Sequence, residues 1–243
     1  SMNTDKKQAL SVHLKAIRRM LIVSVASVAV LFVLFFYLLC GPLVDFVLAP
    51  VRARGIEVIT TSVSEALMMQ FKVCLIAAVI AGMPVIIWQV WVFVAPALYP
   101  QEKRLFAALF FVALLLFVGG VVFCYCLVFP MAIDLFWSAA DGVASTLWSV
   151  KEYFNFVLSF VLPFGLMFEL PVVVYMLARR GLVTYQKLAH SRKYVILVIA
   201  IIAAILTPPD AVSQCMLAIP MILLYEVAAQ LARLVKPKKP AEA

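Results

Sequence analysis

Apolar side chains in this chain fall in long uninterrupted runs, not in stripes at a helical or strand period. Six runs stand out: about Met20–Leu39, Ala66–Val94, Leu105–Val128, Phe154–Leu177, Tyr194–Leu206 and Ala211–Leu231. Most are near the length of about twenty residues that a helix needs to cross a hydrocarbon core of roughly 30 Å. With no water in lipid, the backbone of each run must satisfy itself as a helix. The pattern predicts an all-α integral membrane protein of six transmembrane helices. We read one polytopic domain over 1–243, with an amino-terminal segment 1–19, a membrane bundle 20–231 and a basic tail 232–243.

The last two runs differ from the rest. Tyr194–Leu206 spans about 20 Å at 1.5 Å per residue, short of the membrane core. Glu226 interrupts the run that begins at Ala211, and Leu206-Thr207-Pro208-Pro209-Asp210 joins the two as a tight turn. A short hairpin either thins the bilayer locally or is tilted and sheltered in an oligomer, and the sequence leaves both open. Between the first two runs, Leu43–Val51 has the spacing of a short amphipathic helix along the membrane surface. Pro42, Pro50 and Gly55 punctuate that loop.

Composition agrees with the runs: 66% of the 243 residues are hydrophobic and the mean hydropathy is +1.11. Charge sets the orientation, because Lys and Arg are retained on the cytoplasmic side. One set of connecting segments carries Lys6, Lys7, Lys15, Arg18 and Arg19, then Lys103 and Arg104, then Arg179, Arg180, Lys187, Arg192 and Lys193, then Arg233, Lys236, Lys238 and Lys239. The opposite set has only Arg52, Arg54, Lys72 and Lys151. Both termini are therefore expected in the cytoplasm. The net charge of +8 is this bias and calls for no nucleic acid, while the basic tail suits an anionic inner leaflet of the lipid bilayer. The first run is too long for a cleaved signal sequence and is followed by five more spans.

Enzyme chemistry finds no footing. No phosphate-binding G-x-x-x-x-G-K-[ST], no G-x-S-x-G and no H-E-x-x-H is present. His13 and His190 have no nucleophile or metal partner, so neither a metal nor a cofactor is expected. The five cysteines form no C-x-x-C pair, and plain packing is their expected role.

Candidate functional positions are few. Glu169 lies inside the fourth run, where a charge costs roughly 2.5–3.5 kcal/mol on insertion scales and marks a functional site facing protein or water. Pro163 and Pro171 flank it, each removing a helix hydrogen bond, so a bent helix beside a polar concavity is expected. Glu102 stands at the tip of the loop after the second run, beside Lys103 and Arg104. A carboxylate there accepts a guanidinium through two parallel hydrogen bonds, and Trp91, Phe93 and Tyr99 offer ledges for a peptide. Trp88 and Trp91 read as an ordinary aromatic belt. Gln214, four residues after Asp210, shares its helix face and forms a polar patch.

Several dispersed stretches, in order, resemble the TatC family, the multi-spanning core of twin-arginine protein translocases. They are His13-Leu-x-x-x-Arg18, Ala49-Pro50, Gln89-Val-Trp91 through Pro96-Ala-Leu-Tyr99 to Glu102, Phe168-Glu169-x-Pro171, and Leu206-Thr-Pro-Pro-Asp210 followed by Ser213-Gln214. The resemblance implies a cup-shaped bundle whose concave face carries Glu169. It implies a receptor for twin-arginine signal peptides of folded cargo proteins, bound by the amino-terminal segment and first cytoplasmic loop, here Arg18, Phe93 and Glu102. It implies TatA/TatB-type single-span partners docking at Thr207 and Gln214, a homo-oligomer within the complex, and export driven by the proton-motive force. The setting it implies is an energy-transducing membrane, the bacterial plasma or inner membrane or its archaeal or organellar counterpart.

One position departs from the family pattern. An acid usually stands between the His-Leu and the Arg of the start motif, and here Ala16 stands in its place. Losing one charged hydrogen-bond partner costs about 1.5–3 kcal/mol, so recognition is expected to lean on Glu102. The function expected is a non-enzymatic translocase subunit and signal-peptide receptor. The alternatives are an ion-coupled small-solute transporter using Glu169, or a structural scaffold. Against the transporter stands the single Pro-flanked acid, where inverted repeats usually carry broken helices in both halves.

Overall fold

A computed structural model describes residues 2–98, 103–143 and 147–236, with side chains described for 11–94, 104–143 and 147–236. Among the described residues are six helices long and apolar enough to cross a membrane, which are Ser11–Leu38, Val63–Val94, Arg104–Ala140, Val150–Arg179, Tyr185–Leu206 and Ala211–Leu234. The protein is a multi-pass membrane protein, as the runs predict. The fifth and sixth spans are the shortest, at 22 and 24 residues. Tyr194–Leu206 proves to be the apolar part of a longer helix whose first turns, from Tyr185, are polar and basic.

In chain order the elements are α1 (Met2–Leu38), α2 (Cys40–Arg52), β1 (Val58–Ile59), α3 (Val63–Leu98), α4 (Lys103–Phe123), a π-helical segment (Cys124–Val128), α5 (Phe129–Ala140), β2 (Trp148–Ser149), α6 (Val150–Met167), α7 (Leu170–Arg179), α8 (Tyr185–Leu206) and α9 (Ala211–Leu234). They group into two compact units, Ser1–Leu43 with Phe71–Leu114, and Val44–Gln70 with Leu115–Ala243.

In the first unit, α1 and the body of α3 meet through aromatic rings. Phe36 stacks on Phe71 with centroids 4.8 Å apart, and Phe32 stacks on the same ring at 6.0 Å. Trp91 donates from Nε1 to the Phe106 carbonyl of α4 at 3.1 Å. Trp91 is buried while Trp88 is exposed. Trp91 is therefore packed within the protein and is no outward ledge or belt residue, its indole N–H held by the Phe106 carbonyl.

The second unit is organised around α6, whose buried face includes Phe154, Val157, Phe160, Val161 and Phe164. Two glycines set the approach to α4. A Cβ on Gly120 would lie 2.7 Å from the Phe164 carbonyl oxygen, and one on Gly165 would lie 2.6 Å from the Phe117 ring. The third span runs on past Val128, where its apolar run ends, to Ala140. Its turn ahead of Pro130, which has no N–H to give, widens so that Phe129 N–H reaches Cys124 O. The helix then continues as α5. The short helix expected over Leu43–Val51 is present as α2, tied down by Tyr153 Oη donating to Val47 O at 2.7 Å and Tyr125 Oη donating to Phe46 O at 2.8 Å. Two short parallel strands, with Val58 opposite Trp148, join the loops after α2 and α5.

The last hairpin is packed along its length. Glu226, which interrupts the final run, pairs with Arg192 at 2.5 Å across α8 and α9. Tyr225 Oη donates to Leu188 O at 2.9 Å. Alongside, Val174, Ala178, Ala228 and Ala232 form a small-residue contact between α7 and α9.

Candidate functional site

The amino-terminal start motif and the end of α3 meet in the first unit. Lys15, Ala16, Arg19 and Met20 on α1, with Trp88, Gln89, Val92 and Phe93 on α3, line a groove of about 420 Å³. On each helix these residues are two adjacent pairs one turn apart, so each set shares a face. The His13 and Phe93 rings meet edge to face with centroids 6.5 Å apart, which brings the start motif to the aromatic ledge. Among the described residues, no carboxylate lines this groove. Ala16 is in its wall, so the position where the family pattern has an acid faces the groove. Arg18 is exposed on α1 and does not line it.

Glu102 lies outside the described residues, as does the loop tip with Tyr99. Pro96 falls within α3, and its side chain lies outside the described residues.

In the second unit, Glu169 sits at a break in the fourth span. The α6 helix ends at Met167 and α7 begins at Leu170, with Pro171 in its first turn, where a missing N–H costs nothing. Glu169 N–H donates to Leu166 O at 3.1 Å, a tightened last turn. Pro163 lies inside α6. The interruption foreseen from the two prolines falls ahead of Pro171, while α6 runs on through Pro163, and Glu169 is half-buried at the break. Its Oε1 is buried and lacks a hydrogen-bond partner among the described residues. A buried carboxylate oxygen without a donor is costly. Gly120 and Gly165, which let α4 and α6 approach beside this break, escaped the sequence reading. Only the small residue type itself signalled them.

The turn between α8 and α9 is a capped structure. Asp210 Oδ1 accepts from Ser213 N–H at 2.7 Å, the usual role of an Asp before a helix. Thr207 is buried, its Oγ1 donating to Ala203 O at 2.6 Å. Gln214 Nε2 donates to Ala200 O at 3.1 Å, joining α9 to α8. Pro208 is half-buried and Pro209 exposed. Asp210 thus caps α9 from outside the helix, and the polar side chains of the turn each bond separately within the hairpin. Pro50 lies inside α2, where its carbonyl accepts from Arg54 Nη1 at 2.9 Å, and Arg54 also pairs with Asp134 at 2.5 Å.

Six long apolar helices with a proline-flanked intramembrane carboxylate define a multi-pass α-helical membrane protein. Known proteins place it more narrowly. Residues 12–220 match the TatC family, described as Sec-independent protein translocase protein. The chain is 38% identical over 236 residues to the Sec-independent protein translocase protein TatC of Carboxydothermus hydrogenoformans, covering 97% of each chain. It is 36% identical over 239 residues to the TatC of Haemophilus influenzae, covering 97% of this chain and 93% of that one. It is also similar to a crystal structure of the twin-arginine translocase receptor TatC, with a TM-score of 0.86 at 36% identity over 91% of this chain and 98% of the other. The chain belongs to the TatC family. It is a component of a Sec-independent protein translocase and not an enzyme.

Proposed function

We propose that this protein is the signal-peptide receptor and core subunit of a twin-arginine translocase, with both termini in the cytoplasm of an energy-transducing plasma or inner membrane. The groove between Lys15–Met20 and Trp88–Phe93 carries the reading. It joins the start motif to the helix that leads into the loop bearing Glu102, and its aromatic walls suit an apolar peptide stretch. The guanidinium pair of a signal peptide then falls to Glu102, with Arg18 closing the start motif and Ala16 withholding the second carboxylate. The exposed apolar faces of α8 and α9, among them Leu197, Ile201 and Ile205 with Ile219 and Leu223, suit single-span TatA/TatB-type partners in lipid. Thr207 and Gln214 mark the end of that face. Further copies of the chain complete the complex, and the proton-motive force drives export, with Glu169 as the group within the membrane that can take up a proton.

The test is binding of a synthetic twin-arginine signal peptide to the detergent-purified protein, against a twin-lysine control. Arginine-selective binding that weakens about tenfold or more in Glu102→Ala supports the receptor reading, tenfold being about 1.4 kcal/mol. Restoring the acid with Ala16→Glu is expected to tighten binding by a similar factor. A protein that binds both peptides alike, with and without Glu at position 16, does not recognise the twin-arginine pair.

A further inference from the structure

A second cavity, of about 260 Å³, lies in the other compact unit, where α5 ends, α6 and α9 begin and the Pro208–Asp210 turn closes over it. Its walls include Trp148, Tyr153 and Phe156, and its polar groups are Glu152, Asp210 and Ser213. Each carboxylate belongs to the first turn or cap of a helix. Glu152 is exposed on the first turn of α6, and its carboxylate has no partner among the described residues. Asp210 spends Oδ1 on the Ser213 N–H, and its Oδ2 has no partner among the described residues. Ser213 is fully buried, and among the same residues its hydroxyl has no hydrogen-bond partner.

A buried hydroxyl left unpaired beside two carboxylates points to a ligand that brings donors. The charge of the site selects a cation, and the aromatic walls favour one, since ring faces attract cations. Both carboxylates accept and neither donates, so the ligand needs several N–H groups in a small volume. A primary ammonium has three donors and fits that demand. A quaternary ammonium of similar size has none.

The setting says where the ammonium comes from. The cavity lies where three membrane spans end or begin, with Trp137 and Trp148 beside it, their rings 6.5 Å apart, as in the aromatic belts at a membrane–water boundary. Leu135, Leu147 and Val212, each next in sequence to a residue that lines the cavity, are apolar and exposed. A headgroup can enter from that side with its acyl chains left in lipid.

We propose that this cavity is a binding site for the primary-ammonium headgroup of a phosphatidylethanolamine lipid, held by Glu152 and Asp210 over Ser213 within the aromatic walls. The lipid would fill the gap between the start of α6 and the α8–α9 turn. It would thereby tie the hairpin to the rest of its unit at this end.

The full-length protein in a neutral detergent is titrated with phosphatidylethanolamine, phosphatidylcholine and phosphatidylglycerol of matched acyl chains, and bound lipid is counted by native mass spectrometry. Phosphatidylethanolamine is expected to occupy one site at least fivefold more tightly than phosphatidylcholine or phosphatidylglycerol. Glu152→Gln keeps the shape of the side chain and is expected to remove most of that preference, with an unchanged melting temperature in lipid-free detergent. Ser213→Ala is expected to weaken it less. Equal binding of the three lipids overturns the proposal, as does a preference that survives both variants. A lysine peptide that binds at Glu152 while the lipids show no preference overturns the lipid assignment and leaves the site to a protein ammonium.

Discussion

The first and fourth spans are both strongly apolar, yet none of the most apolar stretch of the first is buried within the protein against 39% of that of the fourth. The first presents Val25, Val30 and Val33 outward. The fourth buries Phe154, Phe160 and Phe164. Hydropathy reports which residues leave water, and in a membrane it does not report whether they meet lipid or protein, because lipid tails are as apolar as leucine. The two spans also divide the polar work. The start motif on α1 lines an open groove with α3, whereas Glu169 is held inside a packed, interrupted span with a buried oxygen unpartnered among the described residues.

Truncation gives the widest separation between them. Phe160 is fully buried, so Phe160→Ala opens a cavity that neither lipid nor neighbours fill, and the lost contacts are expected to cost about 3 kcal/mol. Val30→Ala on the exposed face of α1 is expected to stay within about 0.5 kcal/mol, since lipid or detergent takes the vacated space. Denaturation midpoints of both variants in one detergent measure the difference. Equal losses would mean that α1 is packed in the working protein and that a partner or second copy covers it.

A finer cut uses two adjacent glycines. Gly120 faces Phe164 and Phe168, where a Cβ would meet the Phe164 carbonyl oxygen at 2.7 Å, while Gly119 has nothing within 4 Å. The obstacle is backbone, so α4 and α6 must move apart, and Gly120→Ala is expected to destabilise by about 1–3 kcal/mol. Gly119→Ala is expected to be neutral or to stabilise by up to about 1 kcal/mol, through the lower entropy of the unfolded chain. Thermal unfolding of the pair in one detergent decides it, and a reversed order would place the wrong face of α4 against α6.

Much of the architecture was readable from residue type and order, and the unreadable part has a common cause. The six spans follow from run length, the break at Glu169 from Pro171, and the hairpin turn from Pro208-Pro209-Asp210, because each is a local effect. The continuation of the third span through Phe129–Ala140 was missed, because the helix widens into a π turn ahead of Pro130 without ending there. Trp91 reads like Trp88 in sequence, and only the nearby Phe106 carbonyl separates them. Ala16 was legible as a departure, while its place in the wall of a groove needed α3 beside it.

The hairpin turn tests a smaller contribution. Asp210→Ala removes the cap of α9 and is expected to cost about 1 kcal/mol of stability. Asp210→Asn keeps an acceptor oxygen and is expected to recover most of it. If the two variants unfold together, the charge of Asp210 and not its cap holds the turn.

The smallest effect separates a structural from a partner role at Gln214. Its amide donates to the Ala200 carbonyl, which lies within α8 and keeps its own helical partner when the side chain is cut back. Gln214→Ala is therefore expected to lower stability by about 0.6 kcal/mol, the average for an interhelical hydrogen bond in a membrane. A docking partner in lipid that uses the same amide has no water to replace it. Co-purification of a TatA/TatB-type subunit is then expected to fall well beyond what that small stability loss explains. Loss of partner with the fold intact assigns Gln214 to the interface. A stability loss of about 2 kcal/mol or more with the partner retained, over three times the average for such a bond, assigns it to the hairpin alone, and the packed face of α9 would then extend further than the buried residues of the single chain indicate.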